Sequence, residues 1–420
     1  MCNAKIRYKT RWMNTAFNVV VVLCLLGGII SNSFAGSTER NQAKRIHDRL
    51  AGVPPSATVL NEMETLLNSG DVSTAAYKAM ENPNFYNLTL KNFVTPWTNE
   101  EQTVFAPLND YTATIIGIVR DDIDFRQALY GDIIYVGAVG VVSSEYSKTD
   151  NDHYEKLEID RVDLSDNNKF KKKLQSLVTG LPPDATAGVL TSRAAAQAFL
   201  KDGTNRAHLR FTLVNHLCTD LEQLKDVTRA PDRVRQDVSR SPGGDSRIFL
   251  NACIGCHTGM DPLIQAFSYY DYKYDEVADP EGLNGQLDFN KEGDVDDDTG
   301  TRVQGKYHIN ANNFKYGFVT PDERWDNYWR KGKNAALGWD QTLSGSGTGA
   351  KTMAMELAHS GAFARCQVEK VFKTVCLREP TAADSSQVNL MVTSFKSNTD
   401  SKPYNMKRVF AEVAEHCMDN

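Results

Sequence analysis

The apolar positions of this chain fall into short helical periods separated by proline, glycine and polar clusters, and long extended alternation is rare. Over 36–107 they predict short helices punctuated by Pro54-Pro55, Asn82-Pro83 and Pro96. Asn109 reads as a helix start, and Ile115, Ile116 and Val119 form an apolar face that ends near Arg120. A helical turn over 125–129 then leads into a short extended segment, 131–136. Residues 143–180 are charged and weakly patterned, which predicts an elaborated surface loop with some strand.

Pro182-Pro183 opens a second unit, with helices expected over 190–201 and 204–218 on either side of Asp202-Gly203. The stretch 219–244 is polar, basic and loop-rich, and 275–345 is rich in Asp, Gly and Asn with few apolar periods, so irregular structure with short strands is expected there. From 350 onwards four helices are predicted, over 350–359, 362–378, 382–396 and 404–417. The third opens with Thr381-x-x-Asp384, a capping-box pattern. The expected fold is mainly α, with irregular and short β segments. Its parts are a leader over 1–35, an N-terminal helical domain over 36–181, a central domain over 182–345 and a C-terminal helical bundle over 346–420.

The leader changes the reading of charge and compartment. Lys5, Arg7, Lys9 and Arg11 precede an apolar run over 17–30, and Ser33-Phe34-Ala35 forms a small-x-small cleavage site, the layout of a secretory signal peptide. A run of about 14 residues is too short for a permanent membrane span. Cleavage removes four Lys/Arg and no Asp/Glu, so the net charge moves from −6 to −10. An acidic exported chain is a poor partner for nucleic acid.

The most specific string is Cys253-Ile254-Gly255-Cys256-His257. With eight Cys and eight His in 420 residues, chance would supply this pattern roughly 0.003 times per chain. It is the attachment pattern of haem c, in which Cys253 and Cys256 form thioethers and His257 ligates the iron from the proximal side. A zinc site would need further close-spaced ligands, and a thioredoxin-like pair would need a preceding buried strand, which 246–252 does not suggest. A disulfide between Cys253 and Cys256 would leave His257 without a role.

Six cysteines follow the leader, and the haem takes two. Cys218, Cys366, Cys376 and Cys417 remain, an even number in an oxidising compartment. On one continuous helix Cys366 and Cys376 lie about 15 Å apart and cannot pair. An up-down-up order of the last three helices brings Cys417 to Cys376, which leaves Cys366 for Cys218.

Four segments occur in an order that resembles the planctomycete-type haem c proteins. They are 109–136 with its Arg-Asp-Asp-x-Asp-Phe-Arg core, 188–218, 253–267 and 357–380 with Phe363-Ala364-Arg365-Cys366. That family carries domains of unknown function around a Cys-x-x-Cys-His-x-x-Met/Ile-Asp-Pro string, matched by 253–262. The resemblance implies an exported haem-binding protein with a cytochrome c-like segment flanked by helical units. The family's proline-rich stretch is replaced here over 220–237.

Around the haem, several residues are candidates. Met260 lies too close to His257 to reach the opposite face of the iron. Met353, Met355 and His359 are candidates for the distal position, Met355 and His359 sharing a helix face, with His308 a weaker one. Of the arginines at 229, 233, 235, 240 and 247, Arg240 and Arg247 are nearest in sequence to the string and could hold the haem propionates, the alternative being a solvated basic loop. The aromatic run Phe267-Ser268-Tyr269-Tyr270-Asp271-Tyr272-Lys273-Tyr274 suits a haem face or, more commonly, ordinary core. The favoured function is a periplasmic monohaem cytochrome that exchanges electrons with a redox partner protein. The alternatives are a haem enzyme of peroxidase or oxidase type with an open distal side, and a docking module with structural haem.

Overall fold

Capped helices begin the computed structural model, which describes residues 37–201, 205–239, 246–297, 299–308 and 317–419. The expected leader lies outside them. Helix α1 (Thr38–Ala51) starts where Ser37 accepts the Arg40 N–H at 3.1 Å, and it stops at Gly52, φ 71°. A Cβ on Gly52 would sit 2.9 Å from Leu88, so glycine serves both the left-handed turn and the close approach. Ser56, just after Pro54-Pro55, caps α2 (Ala57–Asn68), and Asp71 caps α3 (Val72–Met80). Asn82-Pro83 precedes a π-type turn, Phe85–Leu90, that buries Phe85, Tyr86 and Leu90.

Asn109 accepts the Thr112 N–H at 3.0 Å and opens α4 (Asp110–Arg120), which is buried from 110 to 119. Strand β1 (Ile134–Gly137) pairs antiparallel with β2 (Phe170–Lys173), Ile134 opposite Lys173. Between them the structure departs from the expected loop, because α5 (Asp152–Ile159) lies there. Only Tyr154 and Leu157 give it a buried apolar face, and hydrogen bonds fix its position: His153 Nε2 accepts the Gly137 N–H at 2.9 Å and the Tyr154 hydroxyl donates to the Tyr135 carbonyl at 3.0 Å. Such contacts leave no hydrophobic signature in the sequence.

Helix α6 (Arg193–Phe199) begins on the buried Asp110 carboxylate, which accepts the N–H groups of Arg193 and Ala194 at 2.6 and 3.0 Å. Helix α7 (Asn205–Leu217) follows, then α8 (Ile254–Ile264). Two further antiparallel pairs are β3 (Tyr270–Tyr274) with β4 (Gly285–Phe289), and β5 (Arg324–Asp326) with β6 (Ser346–Thr348). The aromatic run is core: Phe267 meets His208 edge-on at 4.4 Å and Tyr270 lies 4.8 Å from Phe289. The four expected C-terminal helices are α9 (Gly349–Ala358), α10 (Gly361–Cys376), α11 (Ser385–Lys396) and α12 (Met406–His416). Thr381 and Asp384 form the capping box before α11.

The chain is mainly helical, 55% against 7% strand. One hydrophobic core runs from Ala43 to Cys417 and crosses the expected boundaries at 181 and 345. Phe410 of α12 meets Phe85 and Phe93 edge-on at 5.1 and 5.6 Å, so the C-terminal helix closes against the N-terminal ones. Among the described residues no helix is long and apolar enough to cross a membrane.

The disulfides are Cys218–Cys366 and Cys376–Cys417, the pairing expected from helix geometry. The first spans 148 residues, and closing a loop of that size restricts the unfolded chain by about 5 kcal/mol. The Cys218→Ser/Cys366→Ser double variant is expected to lose stability of that order. Urea unfolding checks it, and an unchanged midpoint with unchanged slope would show that the bridge contributes nothing.

Candidate functional site

A short helical turn, Ser246–Ile248, and a π-type turn, Phe249–Cys253, run directly into α8. Cys253, Cys256 and His257 stand at i, i+3 and i+4, which places them on one face of a continuous helical run. Both thiols are free and partly buried, whereas Cys218, Cys366, Cys376 and Cys417 are all paired. Cys253 packs with Ile254 against Val234, Val238 and Phe249. The Cys256 thiol donates to the Leu221 carbonyl at 3.5 Å, and burial pushes its pKa up.

His257 is held by its own helix. Its Nδ1 lies 3.0 Å from Oδ1 of Asp261, one turn on, and Nε2 has no hydrogen bond among the described residues. The Asp261 side chain is 0% exposed. Around it, Arg206 of α7 donates from Nε at 3.1 Å and from Nη2 at 3.3 Å, and the Arg235 N–H donates at 3.2 Å. Burial alone would raise the carboxyl pKa, but Arg206, His257 and Arg235 together hold it well below the usual carboxylate range. Facing this acceptor, Nδ1 is the donor nitrogen, which leaves Nε2 as the nitrogen able to ligate.

The other side of α8 is fixed to the body of the protein. The Gly255 carbonyl accepts the Asp226 N–H at 2.8 Å, and the Thr258 hydroxyl donates to the Asp226 carbonyl at 3.1 Å. Trp329, fully buried, lies so close that a Cβ on Gly259 would fall 1.9 Å from its Nε1. Gly259 is two residues, or about 200°, round the helix from His257. Trp329 belongs to the turn Tyr328–Arg330, which is clamped to α9: Arg330 makes two 2.7 Å bonds to the Glu356 carboxylate, and Asn327 donates to it at 2.8 Å. The link from α9 therefore reaches α8 on the face turned away from His257.

That bears on the distal candidates. Met353 is 0% exposed in the main core. His359 Nδ1 donates to the Met355 carbonyl at 2.8 Å and its ring stacks on Tyr130, so Met355 and His359 do share a local contact. The described contacts bring none of the three to His257. Met260 is buried packing, as expected, and His308 ends a separate short turn, Gly305–His308.

The arginines before the string are not all part of a solvated loop. Arg233 pairs with Asp326 and Gln265 and donates to the Arg324 carbonyl at 2.8 Å; Arg235 is buried, and Arg229 pairs with Asp226 at 3.2 Å. They brace α8 from within. Arg247 is exposed, and Arg240 lies outside the described residues. The pairing of Asp261 with His257 was not read from the sequence, although its i, i+4 spacing carried the signal; Arg206 and Trp329 come from distant segments with no local signal.

Val227, Ile248 and Leu250 are 67%, 42% and 57% exposed. Ile248 and Leu250 immediately precede Cys253, and Val227 lies 3.6 Å from where a Gly255 Cβ would be, so apolar surface flanks the thiols. A covalently held flat macrocycle fits this donor set: two unpaired thiols, an imidazole with an open Nε2, and apolar side chains in need of cover. No group of three or more His, Cys, Asp or Glu able to hold a metal ion occurs among the described residues, so a protein-only cage has no support there. A cleft of about 730 Å³ lined by Glu100, Asp150, Glu155 and Arg193 does not include the thiol face. No family model matches the chain, and no curated protein or solved structure is found to be similar.

Two outcomes follow from this packing. Gly259→Ala forces a methyl group into the Trp329 ring and is expected to destabilise by about 3 kcal/mol, read by urea unfolding; an unaltered midpoint would mean that Trp329 is not seated there. Glu323, at the edge of β5, has a buried Oε2 with no hydrogen-bond partner among the described residues, and burial raises its pKa to about 7 against the opposing Arg302. Between its unfolded value of 4.5 and about 7 the folded chain holds a proton that the unfolded chain has lost, so stability falls as pH rises through that window. Thermal melts across it should show a flatter profile for Glu323→Gln than for the wild type, and superimposable slopes would contradict the assignment.

Proposed function

We propose that this chain is an exported monohaem c-type cytochrome of the periplasm, with haem c attached at Cys253 and Cys256 and ligated by His257. The observation that carries the reading is the pairing of two unbridged thiols with a histidine whose Nδ1 is committed to a buried carboxylate. Every other cysteine in the described residues is bridged, so these two are withheld from the oxidation that consumed the rest. Asp261 fixes the tautomer and ring orientation of His257, and a histidine prepared in this way is a metal ligand by design of its surroundings.

The haem, when bound, supplies one-electron redox chemistry. The chain's own residues do the remainder. Cys253 and Cys256 anchor, His257 ligates, Asp261 orients His257, and Val227, Ile248 and Leu250 offer apolar cover. Arg247, exposed at the entry to the helical run, is the described candidate for a propionate, and Arg240 is the other. An electron-exchanging partner protein is the implied partner. Two disulfides support export, as does the sequence of the leader. The reading agrees with the resemblance to planctomycete-type haem c proteins.

Expression in a bacterial host competent for haem c attachment tests it. Haem staining of the denatured wild-type protein should be positive, and Cys253→Ser/Cys256→Ser should lose at least nine-tenths of it. Equal staining of the two, or none in the wild type, would overturn the proposal. Visible spectra of both redox states that do not change with cyanide or carbon monoxide are expected of a carrier. A shifted Soret band together with rapid peroxide turnover would instead favour the enzyme.

A further inference from the structure

We infer that Asp261 is a positioning residue that sets the reduction potential of the site, acting through its hydrogen bond to His257; this rests on the haem reading above. Many ligating histidines give their second nitrogen to a backbone carbonyl or to water, whereas His257 gives Nδ1–H to a carboxylate at 3.0 Å that is wholly removed from solvent. A full anion at that distance draws the proton toward itself and leaves more electron density on Nε2 than a neutral acceptor would. A more basic Nε2 stabilises the oxidised, more positively charged metal over the reduced one, so the potential is held low.

The surroundings show how the anion is kept. Arg206 comes from α7 and the Arg235 N–H from the segment before the string, so two separate parts of the chain converge on the carboxylate opposite His257. Arg206 is 17% exposed in its side chain and reaches Asp261 with two nitrogens. It compensates the charge and at the same time limits how much of it His257 feels. Asp261 and Arg206 thus act against each other on the same ring.

This opposition gives the test. Asp261→Asn keeps a hydrogen-bond acceptor but removes the charge, and should raise the potential; Arg206→Gln leaves the carboxylate less compensated and should lower it. Either single variant strands a buried charge and can unfold the chain. The double variant Asp261→Asn/Arg206→Gln removes one charge of each sign and leaves the net charge unchanged. It should stain for haem as the wild type does, keep the wild-type far-UV spectrum and have a higher potential, about tenfold in the redox equilibrium or ~59 mV for one electron. Asp261→Glu, which restores the anion, should move back toward the wild-type value. A folded, haem-bearing double variant with the wild-type potential would overturn the inference and leave the haem reading intact. Absence of haem from the wild type would overturn the reading itself.

Discussion

A single buried carboxylate organises the centre of this molecule. Asp261 has no contact with solvent, and an ion in that position is tolerated only if its partners replace the water it has lost. Those partners come from α7, from the Arg235 segment and from one turn back along α8. Each is thereby fixed relative to the others: moving any of them would leave either the carboxylate or a guanidinium buried without a counterpart. The placement of His257 is a by-product of that electrostatic requirement, and the ring is held more firmly than a surface histidine of the same helix would be.

The thiol face depends on a second constraint, the close seat of Trp329 on Gly259. An indole against bare backbone lets α8 sink far enough for the Asp226 N–H to reach the Gly255 carbonyl and for the Thr258 hydroxyl to reach the Asp226 carbonyl. The Arg330–Glu356 pair then carries that position to α9, with Glu356 1% exposed. The helix that presents Cys253, Cys256 and His257 is thus braced on the side away from them. Its outward face is left partly apolar and open, while its inner face carries the packing.

Much of the fold was legible because its signals are local. Caps at Asn109 and Thr381, the periods of the four C-terminal helices and the proline breaks each state their own element. The disulfide pairing was legible because one continuous α10 makes Cys366 and Cys376 incompatible, which leaves few arrangements. Helix α5 was missed, since His153 and Tyr154 hold it by hydrogen bonds to β1 that no hydrophobic period records. At the site, the Cys-x-x-Cys-His string was plain and its carboxylate lay one turn on. The roles of Arg233 and Arg235 were not plain, because a run of arginines reads as surface until the buried acid and the distant strand edge that receive them are known.

Helix α12 packs against α1 and α3, and Arg49 of α1 donates to the Cys417 carbonyl at 2.6 Å, just past the end of α12. Met406 follows Met80 by 326 residues, so the first helices to be synthesised wait for nearly the last before their apolar faces are covered. For a chain made from its N-terminus, α12 is the keystone: the arch cannot lock until the last helix is released. Until then α1 and α3 are exposed to other unfinished chains, and slow, non-local closure of this kind is where holding chaperones are needed most. Late closure has a compensating effect, for a core that seals last leaves the Cys253–His257 segment reachable for as long as the chain remains open.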